Sequence, residues 1–217
     1  MDFKAARRRM VDSQVRTNDV TDLRLQTALE TVPREVFLPA AVREQAYVER
    51  EIPFAPGRAL MTVRDFAKLA AAAKPKAGDL CLCVASGPGY ATAVLAQLVE
   101  MVVAVESDES LAAASQENLT QIGVSNAAVL ASDHAKGAAG QGPFDLIFVN
   151  GVIEVRPDEL LKQLKDGGRL AALMREGGVS RGVVFTRSGE AFARAEKFDA
   201  SAKSVLPGFA AEKSFVF

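Results

Sequence analysis

Histidine and cysteine are scarce in this 217-residue chain, with one of the first and two of the second, and 26 Lys and Arg against 27 Asp and Glu leave a net charge of only −1. Without a basic surplus there is no general field to draw the chain onto nucleic acid. The local exception, Lys4 with Arg7, Arg8 and Arg9, reads as the solvated face of a terminal helix. No apolar run reaches the roughly 18 residues that would span a bilayer, and charges stand where a signal peptide would carry its hydrophobic segment. A cytoplasmic protein with neither membrane nor nucleic-acid partner is therefore expected. Cys81 and Cys83 alternate along one strand and point to one face, which suits small apolar residues better than a disulfide. His134, far off in sequence, completes no metal-ligand set, so no metal is expected. Nothing in the sequence fixes the oligomeric state.

The chain is otherwise rich in what a globular core needs: 49% of its residues are hydrophobic and 24% charged. From Lys4 to about Glu51 the pattern is helical and polar, broken by Val20-Thr21-Asp22 and Val32-Pro33-Arg34-Glu35. Pro53, Pro56 and Gly57 mark a loop from Pro53 to Met61, and Thr62 is placed to cap a helix running to Ala73. Loops at the rim of a rigid sheet are common places for substrate contacts. Apolar strands and helices then alternate: Leu80–Val84, Ala91–Val99, Met101–Val105, Leu111–Gln121 and Ala127–Ala131. Phe144–Val149 reads as a buried strand, Pro157–Leu164 as a helix and Gly167-Gly168 as its exit. Continuous apolar strands joined by helices imply an α/β fold with a mostly parallel sheet covered on both faces. Beyond Gly168, segments at Arg169–Met174, Gly182–Thr186, Ala191–Phe198 and Glu212–Phe217 lack intervening helices and predict an antiparallel finish. The expected organisation is an N-terminal helical segment with a substrate loop (1–62) and a core (63–217), forming one compact unit.

The most telling stretch is Leu80 to Tyr90, in which a strand runs into Ala85-Ser86-Gly87-Pro88-Gly89, followed about twenty residues on by Glu106 at the end of the next strand. Glycines let backbone approach a ligand closely, and a carboxylate at that spacing suits ribose hydroxyls. A turn of this kind alone is a weak signal.

Wider features make it specific: Met10 to Arg16, Val32-Pro33-Arg34-Glu35-Val36-Phe37-Leu38-Pro39, Ala46-Tyr47, Gly87-Pro88-Gly89-Tyr90 with Ala93-Val94-Leu95-Ala96, Pro143-Phe144-Asp145-Leu146-Ile147, and Leu160 to Leu164 leading to Gly167-Gly168-Arg169-Leu170. Over most of its length the chain resembles the protein-L-isoaspartate O-methyltransferase family. That resemblance implies a class I methyltransferase Rossmann-like fold, S-adenosylmethionine as cofactor, and a protein or peptide carboxylate as methyl acceptor, in the service of protein repair. It implies that Ala85, Ser86, Gly87 and Gly89 hold the methionine end of the cofactor. Glu106 and Ser107 would lie at the ribose, with Asp133 and His134 beside the adenine. Arg58, Leu60 and Met61 would face the substrate, and Thr62 is the nearest hydroxyl for a catalytic role, in competition with its use as a helix cap. A carboxylate acceptor is already deprotonated at neutral pH, so the lack of an evident general base fits this chemistry.

The chain also departs from the family pattern. Cys83 and Ala85 stand where an acidic residue and a glycine are usual, and Ala59 and Met61 stand where the substrate loop carries hydroxyls. These departures motivate a second reading, a noncatalytic binding module on the same fold. A nicotinamide-dependent oxidoreductase is a third, disfavoured by the helix-poor end of the chain.

Overall fold

The computed structural model describes residues 1–211. The strand anticipated at Glu212–Phe217 lies outside the described residues.

Among the described residues there are nine strands and six α-helices. In chain order they are α1 (Phe3–Met10), α2 (Leu23–Thr31), β1 (Ile52–Ala55), β2 (Arg58–Leu60), α3 (Val63–Ala73), β3 (Leu80–Val84), α4 (Tyr90–Ala96), β4 (Met101–Glu106), α5 (Glu109–Gln121), β5 (Ala127–Ala131), β6 (Phe144–Ile153), α6 (Asp158–Leu161), β7 (Leu164–Glu176), β8 (Val179–Ser188) and β9 (Ala191–Ala200). Seven strands form one sheet in the order β5-β4-β3-β6-β7-β8-β9. The pairings from β5 to β7 are parallel, and β7-β8 and β8-β9 are antiparallel.

Strand β3 shows why this sheet is buried on both faces. Its side chains alternate between two cores, Cys81 and Cys83 entering one and Leu82 and Val84 the other. Both cysteines are free and fully buried. Burial pushes the Cys83 thiol up to about 12 and Cys81 well above its ordinary value. The faces are unequally covered. The larger core gathers α1 to α5, whereas the smaller is closed by α6 and by Leu206 and Phe209 of the segment after β9.

Four expectations are corrected. Pro53–Met61 is not a plain loop but a hairpin, β1 paired antiparallel with β2, with a bulge between Pro53 and Ala55. The helix expected over Pro157–Leu164 stops at Leu161, because the Gln163 carbonyl accepts from the Phe144 N–H at 2.8 Å and draws the chain into the sheet. Gly167-Gly168 accordingly sits inside β7, within the register shift near its start, rather than at a helix exit. Arg7 also departs from the solvated face expected of the N-terminal basic cluster. It bonds the Thr31 carbonyl at 2.7 Å, the Tyr47 hydroxyl at 2.9 Å and the Glu35 carboxylate at 3.1 Å, while Arg8 and Arg9 stay exposed.

Two anchors set the elements around the sheet's crevice. Arg34 is 1% exposed, donates to the carbonyls of Ala46 at 2.9 Å and Met61 at 2.7 Å, and lies over the Tyr90 ring at 4.6 Å. It thus ties the N-terminal segment to the end of the hairpin. Asp65, buried in the first turn of α3, accepts from the Ser201 and Ala202 amides at 2.7 and 3.0 Å. The segment that follows is thereby drawn over the end of β6, where Val205 bridges Val152 and the Leu206 amide donates to the Val152 carbonyl at 2.8 Å.

Candidate active site

Strand β3 has β4 on one side and β6 on the other, so the chain's connections diverge at its carboxyl end. In open α/β sheets a ligand crevice forms at such a point. The turn from Ala85 to Gly89 lies there. Its backbone is left-handed at Ala85 (φ 60°), Gly87 (55°) and Gly89 (105°). At Gly89 a side chain would meet Ser115 Oγ at 2.8 Å, which explains the glycine. Ala85 takes the same kind of backbone with a Cβ in place, a conformation that costs roughly 1 kcal/mol. Its carbonyl accepts from Asn150 Nδ2 at 3.0 Å, one fixed partner that holds it there.

Glu106, fully buried at the end of β4, is the centre of the polar site. Arg58 of β2 grips it with both terminal nitrogens, at 2.9 and 2.8 Å. The Gly87 amide donates to Oε2 at 2.8 Å, and the amides of Ser107 and Asp108 donate to Oε1 at 2.9 and 3.3 Å. His134 Nε2 lies 3.0 Å from Oε1. Burial by itself would push the Glu106 carboxyl up, but hydrogen bonds from Arg58 and His134 and the Arg58 charge outweigh it. The acid is held well below the usual carboxylate range.

Phe54 of β1 completes the lining. Its ring lies 5.5 Å from the Arg58 guanidinium carbon and so close to Gly87 that a side chain there would meet it at 2.8 Å. Gly57, Arg58 and Leu206 lie between two parts of the crevice and line both. On the inner side, Ala59, Met61, Ala85, Asn150 and Ser204 surround a cavity of about 10 Å³. On the outer side, Ser107, Asp108 and Leu111 line a cleft of about 580 Å³.

The structure brings Ala85, Gly87, Glu106, Ser107, His134 and Arg58 together. It uses the others differently. The Thr62 hydroxyl accepts the Asp65 amide at 3.1 Å and caps α3. Met61 lines the inner cavity, and Leu60 is buried on β2. Asp133 is exposed and accepts the Ala135 amide at 2.8 Å, closing its own turn. Ser86 Oγ and His134 Nδ1 are buried without a hydrogen-bond partner. Phe54, Asn150, Ser204 and Leu206 had no signal in the sequence beyond their nearness to turns or to the C-terminal segment. Among the described residues no helix is long and apolar enough to cross a membrane, and no cluster of three or more His, Cys, Asp or Glu could hold a metal ion.

The sequence profile of the protein-L-isoaspartate(D-aspartate) O-methyltransferase family matches residues 5–197. A protein-L-isoaspartate O-methyltransferase of Koribacter versatilis is 34% identical over 77% of this chain and 76% of its own. One from Herpetosiphon aurantiacus is 34% identical over 78% and 76%. Among solved structures, a protein-L-isoaspartate O-methyltransferase superposes with a TM-score of 0.81 at 19% identity, covering 93% of this chain and 67% of that one. A Plasmodium falciparum structure described as a protein-L-isoaspartate O-methyltransferase in complex with S-adenosyl-L-homocysteine gives 0.79 at 18% identity, covering 92% and 98%. The fold is that of these methyltransferases, and the chain belongs to the protein-L-isoaspartate(D-aspartate) O-methyltransferase family.

Proposed function

We propose that this family member is an S-adenosylmethionine-dependent O-methyltransferase whose acceptor is a carboxylate on a protein or peptide, in the first instance an isoaspartyl residue, and that it works in the cytoplasm. The observation that carries the reading is the buried Glu106 at the end of β4, joined through the Gly87 amide to a left-handed turn at the divergence of β3 and β6. A carboxylate in that place suits a ribose, and the turn suits the chain that leads away from it. The turn's geometry and the unpartnered Ser86 hydroxyl and His134 nitrogen fit such a group. Arg58 and Phe54 stand over the same ground.

Bound S-adenosylmethionine would supply a methyl group already activated by its sulfonium. The protein's share is alignment, water exclusion and orientation of the acceptor carboxylate. Asn150 and Ser204 are the polar side chains placed to orient an acceptor in the inner cavity, since the Thr62 hydroxyl is committed to its helix.

The noncatalytic reading keeps one specific support: Ala59 and Met61 line that cavity where the family carries hydroxyls. Incubation with labelled S-adenosylmethionine and an isoaspartyl peptide separates the two. A base-labile methyl ester, absent with the normal aspartyl peptide, is expected. Binding of S-adenosylhomocysteine without ester formation would overturn the catalytic reading and leave the binding module.

A further inference from the structure

Glu106 is crowded in a particular way. A carboxylate has about four lone-pair sites, yet seven hydrogen-bonding groups reach Glu106. Five of them belong to the body of the sheet and its turns: the amides of Gly87, Ser107 and Asp108, the Ser107 hydroxyl and the His134 ring. Arg58 alone comes from a separate element, and its two terminal N–H groups bond one to each carboxylate oxygen. A vicinal diol presents two O–H groups to a carboxylate in the same paired fashion.

We propose that Arg58 is a built-in plug that competes with the cofactor's ribose hydroxyls for Glu106, so that cofactor is admitted only when the β1-β2 hairpin swings away. This rests on the reading of Glu106 as the ribose acceptor. Three further observations support it. Arg58 and Gly57 of the hairpin line both the 10 Å³ inner cavity and the 580 Å³ outer cleft, with Leu206 the one other shared residue, so withdrawing the hairpin would widen the passage between them. Pockets that hold molecules of cofactor size measure roughly 300–1,000 Å³, and the inner cavity is far below that. Phe54, stacked near Arg58 and against Gly87, belongs to the same hairpin, so one motion clears both the carboxylate and the turn. The hairpin is built to move: its strands are four and three residues long, it is bulged, and it pairs with no strand of the main sheet. Two-stranded hairpins of this size are marginally stable alone. Its far end is fixed, by Arg34 on the Met61 carbonyl and by the Thr62 cap, which supplies a hinge.

The apparent affinity of a ligand is reduced by the fraction of protein in the competent state, so removing the plug raises it. The test is calorimetric titration of S-adenosylhomocysteine into the native protein and Arg58→Gln, with amide hydrogen exchange of residues 52–60 in the native protein. At least tenfold tighter binding by Arg58→Gln is expected, together with faster exchange in the native hairpin when ligand is bound. Equal or weaker binding by the variant, or a hairpin that slows on binding, overturns the plug and leaves the cofactor site standing. No binding by either protein overturns the plug together with the ribose reading. If Arg58→Gln does not fold, the exchange measurement on the native protein decides by itself.

Discussion

Two arginines, Arg34 and Arg58, reach inward from the same N-terminal part of the chain, and they are held by opposite chemistry. Arg34 is sealed under the hairpin's end, with neutral backbone carbonyls for partners and a tyrosine face beneath it. Arg58 is forked onto a carboxylate at the border of an open cleft. Carbonyls buried in this way accept no substitute from solvent, so Arg34 is permanent structure. A carboxylate whose paired donor borders a cleft can exchange that donor for another. Position, more than residue type, decides which arginine is a rivet and which is a latch.

That contrast can be broken at several points. Arg34→Ala should have the largest effect, about 4 kcal/mol of lost stability by urea denaturation, since it opens a void and leaves two buried carbonyls unpaired. Its S-adenosylhomocysteine affinity should not rise. Glu106→Ala comes next: stripping the partner from Arg58 should cost about 3 kcal/mol and weaken S-adenosylhomocysteine binding at least tenfold in the same calorimetric assay.

Acid should act on the latch in a defined window. The folded-state pKa of Glu106 lies below its unfolded value of about 4.5, so its contribution is complete above pH 4.5 and is lost as pH falls below it. The stability gap between the native protein and Glu106→Gln should therefore narrow from about pH 4.5 downward. The carbonyls that hold Arg34 do not titrate. The smallest expected change is Ala85→Gly, which relieves the left-handed alanine beside the latch but makes the unfolded chain freer. A net gain of roughly 0.5 kcal/mol in thermal unfolding is the expected result.

The central parallel strands β3, β4 and β6 were legible because they are buried on both faces over most of their length and so must be largely apolar. Leu80–Val84 and the edge strand Ala127–Ala131 have the bounds their patterns suggest, while β4 and β6 run one and four residues further than expected at their ends. The hairpin was not, since strands of three and four residues interrupted by Pro53, Pro56 and Gly57 carry a turn's composition. Individual site positions were legible one by one: Arg58 and Glu106 both stood out. Their pairing did not, because 48 residues separate them and each had a plausible partner outside the protein. Asp133 and Thr62 show the converse. Their side chains are spent on local turns and caps, the use to which short polar residues before a helix or turn are most often put.

The two thiols of β3 turn the central strand into a stopwatch. A thiol reagent attacks thiolate, and both sulfurs are shut away from solvent with their ionisation suppressed. Movements of the rim leave them untouched, so each labelling event records one opening of the sheet itself. Because the chain holds no other cysteine, the labelling rate in native buffer reads out how often the whole molecule comes apart, with no engineered probe.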